Sequence, residues 1–90
     1  MGKLTIFKLK YCGFCRNALQ YVEELVETTP EFKNIDIEMI DEGEQRELAK
    51  TFDYYYVPTF YIGANKVHEG PVSREDVQNI LRQACKIDSD

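Results

Sequence analysis

Tryptophan is absent from the 90 residues, histidine occurs once, and cysteine and proline occur three times each. Three cysteines are too few, and odd in number, for the disulfide framework of a small secreted scaffold, so thiol chemistry in a reducing compartment is the better expectation. No apolar run approaches the ~20 residues that a bilayer span needs. The opening MGKLTIFKLKYC has neither the apolar length nor the small-residue cleavage site of a secretory signal, so a cytoplasmic location is expected. Positive charge is in deficit as well. Eleven Lys and Arg stand against 16 Asp and Glu, for a net charge of −5. Nucleic acid and anionic membrane are therefore not expected partners, because like charges would meet. Repeats, linkers and low-complexity segments are missing too. With 43% hydrophobic and 30% charged residues the composition is that of a globular chain, and one domain over residues 1–90, acting as a monomer, is expected.

What is present has a clear order. LTIFKL, Leu4 to Leu9, is nearly continuous in apolar residues, as suits a central strand covered on both faces. From Phe14 the apolar residues Ala18, Tyr21, Val22, Leu25 and Val26 recur at spacings of three and four, a helical stripe that Pro30 ends. In NIDIEMID, Ile35, Ile37 and Met39 alternate with Asp36 and Glu38, which predicts a strand with one buried face. GEQRELAKTF returns to helical spacing, with Leu48, Ala49 and Phe52 on one side, and PTFYIG, a turn at GANK, and KVHEG read as a hairpin. Ser73, three residues before Asp76, opens a last helix with the stripe Val77, Ile80, Leu81 and Ala84. The order is β-α-β-α-β-β-α. It predicts an α/β fold in which a parallel strand-helix-strand unit and an antiparallel hairpin share a four-stranded mixed sheet flanked by three helices.

The chemistry concentrates in KYCGFC, Lys10 to Cys15, between the first strand and the first helix. A Cys-x-x-Cys placed there is the pattern of thioredoxin-like redox proteins. Two other readings of the pair fit less well. Zinc wants four ligands, and the remaining candidates, Cys85 and His68, stand on other elements, so no metal is expected. A structural disulfide across two residues would close too short a loop to stabilise the fold much. As a redox pair the residues divide the work. Cys12, at a helix N-terminus, meets unsatisfied backbone N–H groups and the positive end of the dipole, which favour the thiolate. Lys8, Lys10 and Arg16 are candidates to lower its pKa further. Cys15, one turn on and more shielded, suits the resolving role in which it attacks the mixed disulfide at Cys12.

On Cys12-Gly13-Phe14-Cys15, on YVPTF with Pro58 ahead of the third strand, and on the glycine-led start of the last helix, the chain resembles the thioredoxin superfamily over nearly its whole length and is close to glutaredoxin in size. The resemblance implies a thioredoxin-like (glutaredoxin-type) fold and a disulfide reductase. It also implies a cis Pro58 beside the cysteines, with Val57 pairing through its backbone with substrate. Tyr11, Phe14 and Tyr56 would then ring the sulfur with surface suited to a peptide or small thiol. No tightly bound cofactor is expected. The partners implied are a disulfide-containing protein or small thiol substrate, and a reductase or glutathione as electron donor. The chain departs from both branches of the superfamily. The Cys-Pro-Tyr-Cys and the Gly-Gly-Asp turn that holds glutathione in glutaredoxins are missing. So are the thioredoxin tryptophan, replaced by Tyr11, and the thioredoxin buried acid, replaced by Ile6; proton transfer at Cys15 is accordingly expected to use water or a lysine. One residue separates CGFC from the CGFS of monothiol glutaredoxins, which hold an iron–sulfur cluster between two subunits. A cluster-binding protein and a non-catalytic interaction domain are the alternatives. Cys85 is expected as a packed core thiol and His68 as a solvated side chain without a role.

Overall fold

The computed structural model describes residues 3–88. Strand β1 (Leu4–Lys8) lies inside a four-stranded sheet of order β2-β1-β3-β4. It runs parallel to β2 (Ile37–Asp41) and antiparallel to β3 (Thr59–Ile62), which pairs antiparallel with β4 (Asn65–Glu69). This central place explains its continuous apolar sequence, for Leu4, Ile6 and Phe7 are all fully buried and belong to opposite faces. Helices α1 (Gly13–Thr28) and α3 (Arg74–Asp88) cover one face, and the single turn α2 (Arg46–Ala49) belongs to the other. The expected architecture is therefore found, with one addition: the chain leaving α1 makes a 3₁₀ turn, Pro30–Asn34, that buries Phe32.

The larger core lies on the face of α1 and α3. Leu4, Ile6, Phe60 and Ile62 of the sheet meet Ala18, Val22 and Leu25 of α1 and Val77, Ile80, Leu81 and Ala84 of α3. Each large side chain so buried contributes about 1.5–3 kcal/mol against chain entropy. The smaller core, on the other face, takes in part of the aromatic stretch FDYYYVPTFY, Phe52 to Tyr61. Phe7 is its centre, with ring centroids 4.7 Å from Phe52 and 4.8 Å from Tyr54, while Tyr61 stands edge-on to Phe52 at 4.9 Å. Half of the aromatic run thus packs under the loop that leads to Pro58.

Some sequence expectations are corrected. In NIDIEMID, Ile35 is buried but precedes β2, Ile37 is only half-buried, and Met39 is 43% exposed. β2 is an edge strand, so the flank of α1 leaves Met39 at the rim of a shallow groove with Leu19, Val22 and Val26, and Ile40 is the buried residue, on the opposite face beside Phe7. Helix α2 is one turn rather than the length of GEQRELAKTF. Of its apolar residues only Ala49 faces the sheet squarely, Leu48 points outward, and a stripe so thin cannot hold a longer helix. Cys85 is half-buried at the margin of the core with its Sγ 3.7 Å from the Glu31 carbonyl oxygen, because Ala84 takes the inward position and the next residue is rotated by a hundred degrees. His68 is half-buried too. Its Nε2 lies 3.0 Å from the Pro71 carbonyl oxygen and its ring stands edge-on to Phe60.

Two local signals hold as read. The hairpin turns at Gly63, whose φ of 60° only glycine adopts without cost. Ser73 caps α3 reciprocally: its Oγ accepts the Asp76 N–H at 3.0 Å and Asp76 Oδ2 accepts the Ser73 N–H at 3.0 Å. The Ser73 N–H first, and then the Ser73 hydroxyl, hold the Asp76 carboxyl below its ordinary midpoint of 3.8, so the carboxylate half of the cap is complete above that pH and is lost as pH falls through the lowered midpoint. Replacing Ser73 with Ala is expected to cost about 1 kcal/mol, lowering the Tm at neutral pH by about 4–8 °C. Thermal unfolding followed from pH 7 down through the titration of the Asp76 carboxyl checks this, with the difference between wild type and variant narrowing as that group is protonated.

Candidate functional site

β1 stops at Lys8 and the chain turns at once, with the Cys12 N–H donating to the Leu9 carbonyl at 3.3 Å. Cys12 is extended, with φ −91° and ψ 117°, and its side chain caps α1 where serine, threonine or aspartate usually would. The Cys15 N–H donates to Cys12 Sγ at 3.4 Å, and the Cys12 carbonyl takes the first helical bond, from Arg16 N–H at 3.1 Å. From across the sheet the loop before β3 brings Val57, joined to Pro58 by a cis peptide bond, so that Cys12 Sγ lies 4.0 Å from the Val57 carbonyl oxygen. The cis bond and the neighbourhood of the cysteines are as the resemblance implied.

The two thiols differ in environment and hence in acidity. Around Cys12, partial burial raises the pKa. That effect is outweighed by hydrogen bonds from the Cys15 thiol and from the backbone N–H groups of Cys15 and Phe14, and the net shift is downward from 9.0. Donors aimed at a sulfur favour its anion. Cys15 is 1% exposed, and burial chiefly pushes its thiol up to about 12, with the nearby Cys12 sulfur and the Glu42 carboxylate adding to the effect against a lowering hydrogen bond from the Leu9 backbone. One thiol is thus made more acidic than an ordinary cysteine and the other less.

The three cations sit elsewhere. Lys8 pairs with Asp41 at 3.7 Å, Lys10 lies over the Tyr11 ring at 5.7 Å, and Arg16 is exposed on α1; the lowering of Cys12 comes from hydrogen bonds instead. Tyr11, Phe14 and Tyr56 are 87%, 58% and 70% exposed, so they form an open apolar rim rather than an enclosing ring. Beside Cys12 is a cleft of about 420 Å³ with Leu9, Tyr11, Asp41, Gly43 and Glu44 in its walls. Its far wall went unread in the sequence. Asp41 is buried there, its Oδ1 accepting the Gly43 N–H at 2.8 Å, and so shapes the turn after β2. Glu42 was missed as well: it accepts the Tyr54 hydroxyl at 2.7 Å and is the carboxylate felt by Cys15. A third omission, Glu69, accepts the N–H groups of Tyr55 and Tyr56 at 2.5 and 2.9 Å. A lone acid with ordinary neighbours carries no motif, and each of these acts only through contacts across the sheet. Among the described residues no group of three or more His, Cys, Asp and Glu side chains could hold a metal ion, and no helix is long and apolar enough to cross a membrane.

Comparison with known proteins gives a family and a fold. The glutaredoxin family model matches residues 4–67, which contain both cysteines and the Val57–Pro58 bond. None of the curated proteins matches the chain. Ten chains of solved structures match it, among them one described as the structure of a malarial protein, at 20% identity and a TM-score of 0.72 over 93% of this chain and 97% of that one. That likeness shows the fold.

The asymmetry of the thiols can be read by alkylation. Iodoacetamide should modify Cys12 with a midpoint below 9.0, and Cys15 only under strongly alkaline conditions, as followed by peptide mass against pH. Glu42→Gln removes a negative charge that raises Cys15, so in that variant the Cys15 midpoint should move down while that of Cys12 stays.

Proposed function

Because the chain belongs to the glutaredoxin family, we propose that it is a thiol–disulfide oxidoreductase that reduces protein or small-molecule disulfides by dithiol exchange, with Cys12 as nucleophile and Cys15 as resolving thiol. The observation that carries this reading is the sulfur of Cys12 standing as the cap of α1 and accepting the Cys15 N–H. A thiol with a midpoint of 9.0 is ionised to the order of 1% at pH 7, and each unit of lowering raises that share about tenfold.

The Cys12 thiolate attacks one sulfur of the substrate disulfide, a Cys12–substrate disulfide forms, and the other substrate sulfur leaves as a thiolate that takes a proton from water. Cys15 then gives its proton to water and, as a thiolate, attacks Cys12 Sγ. The Cys12–Cys15 bond forms, the second substrate thiolate leaves, and two electrons have passed from the pair to the substrate. Burial of Cys15 keeps this second thiol protonated until the mixed disulfide is in place, and the fixed turn makes its attack intramolecular. Two glutathione molecules, or one reductase-linked dithiol, return the two electrons and are themselves oxidised to a disulfide. Such a cycle belongs in a reducing compartment, which supports the cytoplasm as its location.

Val57 supports a place for the substrate. Its carbonyl lies beside Cys12, and its N–H has no hydrogen-bond partner among the described residues, so an extended chain can pair with both groups. The exposed rings of Tyr11, Phe14 and Tyr56 flank that track and supply apolar contact. At the start of α3, where glutaredoxins carry their Gly-Gly-Asp turn, this chain has Gly70-Pro71-Val72-Ser73, and Asp76 already occupies the Ser73 N–H. This favours a protein dithiol over glutathione as the electron donor.

Cys12→Ser should abolish turnover of a disulfide substrate, whereas Cys15→Ser should stop after one exchange and accumulate the mixed disulfide, visible by mass. Coupling to NADPH through thioredoxin reductase, and separately through glutathione and its reductase, distinguishes the donors, with faster NADPH oxidation expected in the first system. Full turnover by Cys12→Ser, or no turnover of wild type in either system, would remove the reading.

A further inference from the structure

The loop before the cis bond is held by ties that stop short of Val57. The Tyr61 hydroxyl donates to the Asp53 carbonyl at 2.7 Å, the buried Thr59 hydroxyl donates to the Tyr56 carbonyl, and the Gly70 N–H donates to the Pro58 carbonyl at 2.8 Å. The Tyr54 hydroxyl donates to Glu42 at 2.7 Å, and a further tie is the carboxylate of Glu69. One of its oxygens accepts two successive backbone N–H groups, Tyr55 at 2.5 Å and Tyr56 at 2.9 Å, and the other accepts the Lys66 ammonium at 2.7 Å. The ladder puts it there, for Glu69 lies directly opposite Thr59 where β4 ends against β3.

Resting on the dithiol reading above, we propose that Glu69 is a positioning residue for the substrate, holding the Tyr55–Tyr56 backbone so that the Val57 N–H and C=O are presented beside Cys12 to an incoming extended chain. The carboxylate is suited to this task. Hydrogen bonds to an ionised acceptor are about twice as strong as neutral ones, and one oxygen serving two adjacent N–H groups fixes the direction of the peptide between them. Charge on Glu69 persists through the physiological range, because the Lys66 bond first, and then the Tyr55 and Tyr56 N–H groups, hold its midpoint down to about 2. Glu69 is also separate from the two cores, so its loss frees a loop without opening a cavity. An ordered track spares the substrate the entropy of ordering it, and this appears in affinity rather than in the exchange chemistry.

The test uses the full chain with Glu69→Ala, Glu69→Gln and Lys66→Met, a disulfide-bearing peptide as substrate, and cystamine as a disulfide without a backbone to pair. Glu69→Ala should raise the KM for the peptide disulfide about tenfold with kcat held within about twofold, leave cystamine turnover within about twofold, and speed amide exchange at Tyr55 and Tyr56 by more than about tenfold. Glu69→Gln, whose amide oxygen still accepts both N–H groups, should recover most of the KM; Lys66→Met should resemble wild type within about threefold. The iodoacetamide midpoint of Cys12 should be the same in all of them. An unchanged peptide KM in Glu69→Ala, equal losses with cystamine, a shifted Cys12 midpoint, or a Gln variant as impaired as Ala would each overturn the proposal while leaving the reductase reading intact. A wild-type chain that turns over neither substrate would instead overturn the reductase reading, and this proposal with it.

Discussion

The arrangement depends on α1 beginning at a sulfur. An α-helix leaves its first N–H groups without intrahelical partners, and something must accept them. Here the acceptor is Cys12 Sγ, and the same bonds that complete the helix start favour the anion on that atom. Folding and reactivity are therefore one requirement. The apolar stripe of Ala18, Val22 and Leu25 docks the helix on the sheet, the docked helix fixes Cys15 below the surface, and the abrupt end of β1 at Lys8 aims the first turn at the loop that carries Val57.

Burial then separates the sulfurs more than charge does. Both belong to the same turn and have neighbours in common, yet one midpoint moves down and the other moves up. Cations play little part, since Lys8 and Lys10 are engaged with Asp41 and the Tyr11 ring. The acids are the more informative residues. Asp41 forms the turn that walls the cleft, Glu42 bonds Tyr54 and faces Cys15 electrostatically, and Glu69 binds the loop beneath Tyr55 and Tyr56. A chain of net charge −5 thus uses part of its acidic surplus as internal fastening.

Much of this was legible in the sequence because local pattern and global fold agree. The continuous run at Leu4 to Leu9, the spacing of Ala18, Val22 and Leu25, the hairpin glycine and the Ser73–Asp76 box each point to the element that forms. Cys12, Cys15, Val57 and Pro58 also come together as the motifs implied. What was not legible depends on the position of a strand or on contacts across the sheet. The alternation through Met39 carries no sign that β2 is an edge, and Leu48 looks as apolar as Ala49 until the sheet decides which of them faces it. Lys8 and Asp41 are 33 positions apart and meet only because parallel register pairs them. Sequence neighbours suggested cations for Cys12; the Cys15 thiol and the backbone N–H groups of Cys15 and Phe14 supply the effect.

The depth of Cys15 has a consequence for survival under oxidative stress. Peroxide would meet the half-buried Cys12 before the buried Cys15 and leave a sulfenic acid, the reversible rung of sulfur damage. The sheltered thiol one turn below is within reach of that atom: its condensation with the sulfenic acid would expel water and give the same internal disulfide as the proposed exchange. On the proposed cycle, the depth of one sulfur would thereby keep the other from progressing to the irreversible sulfinic form.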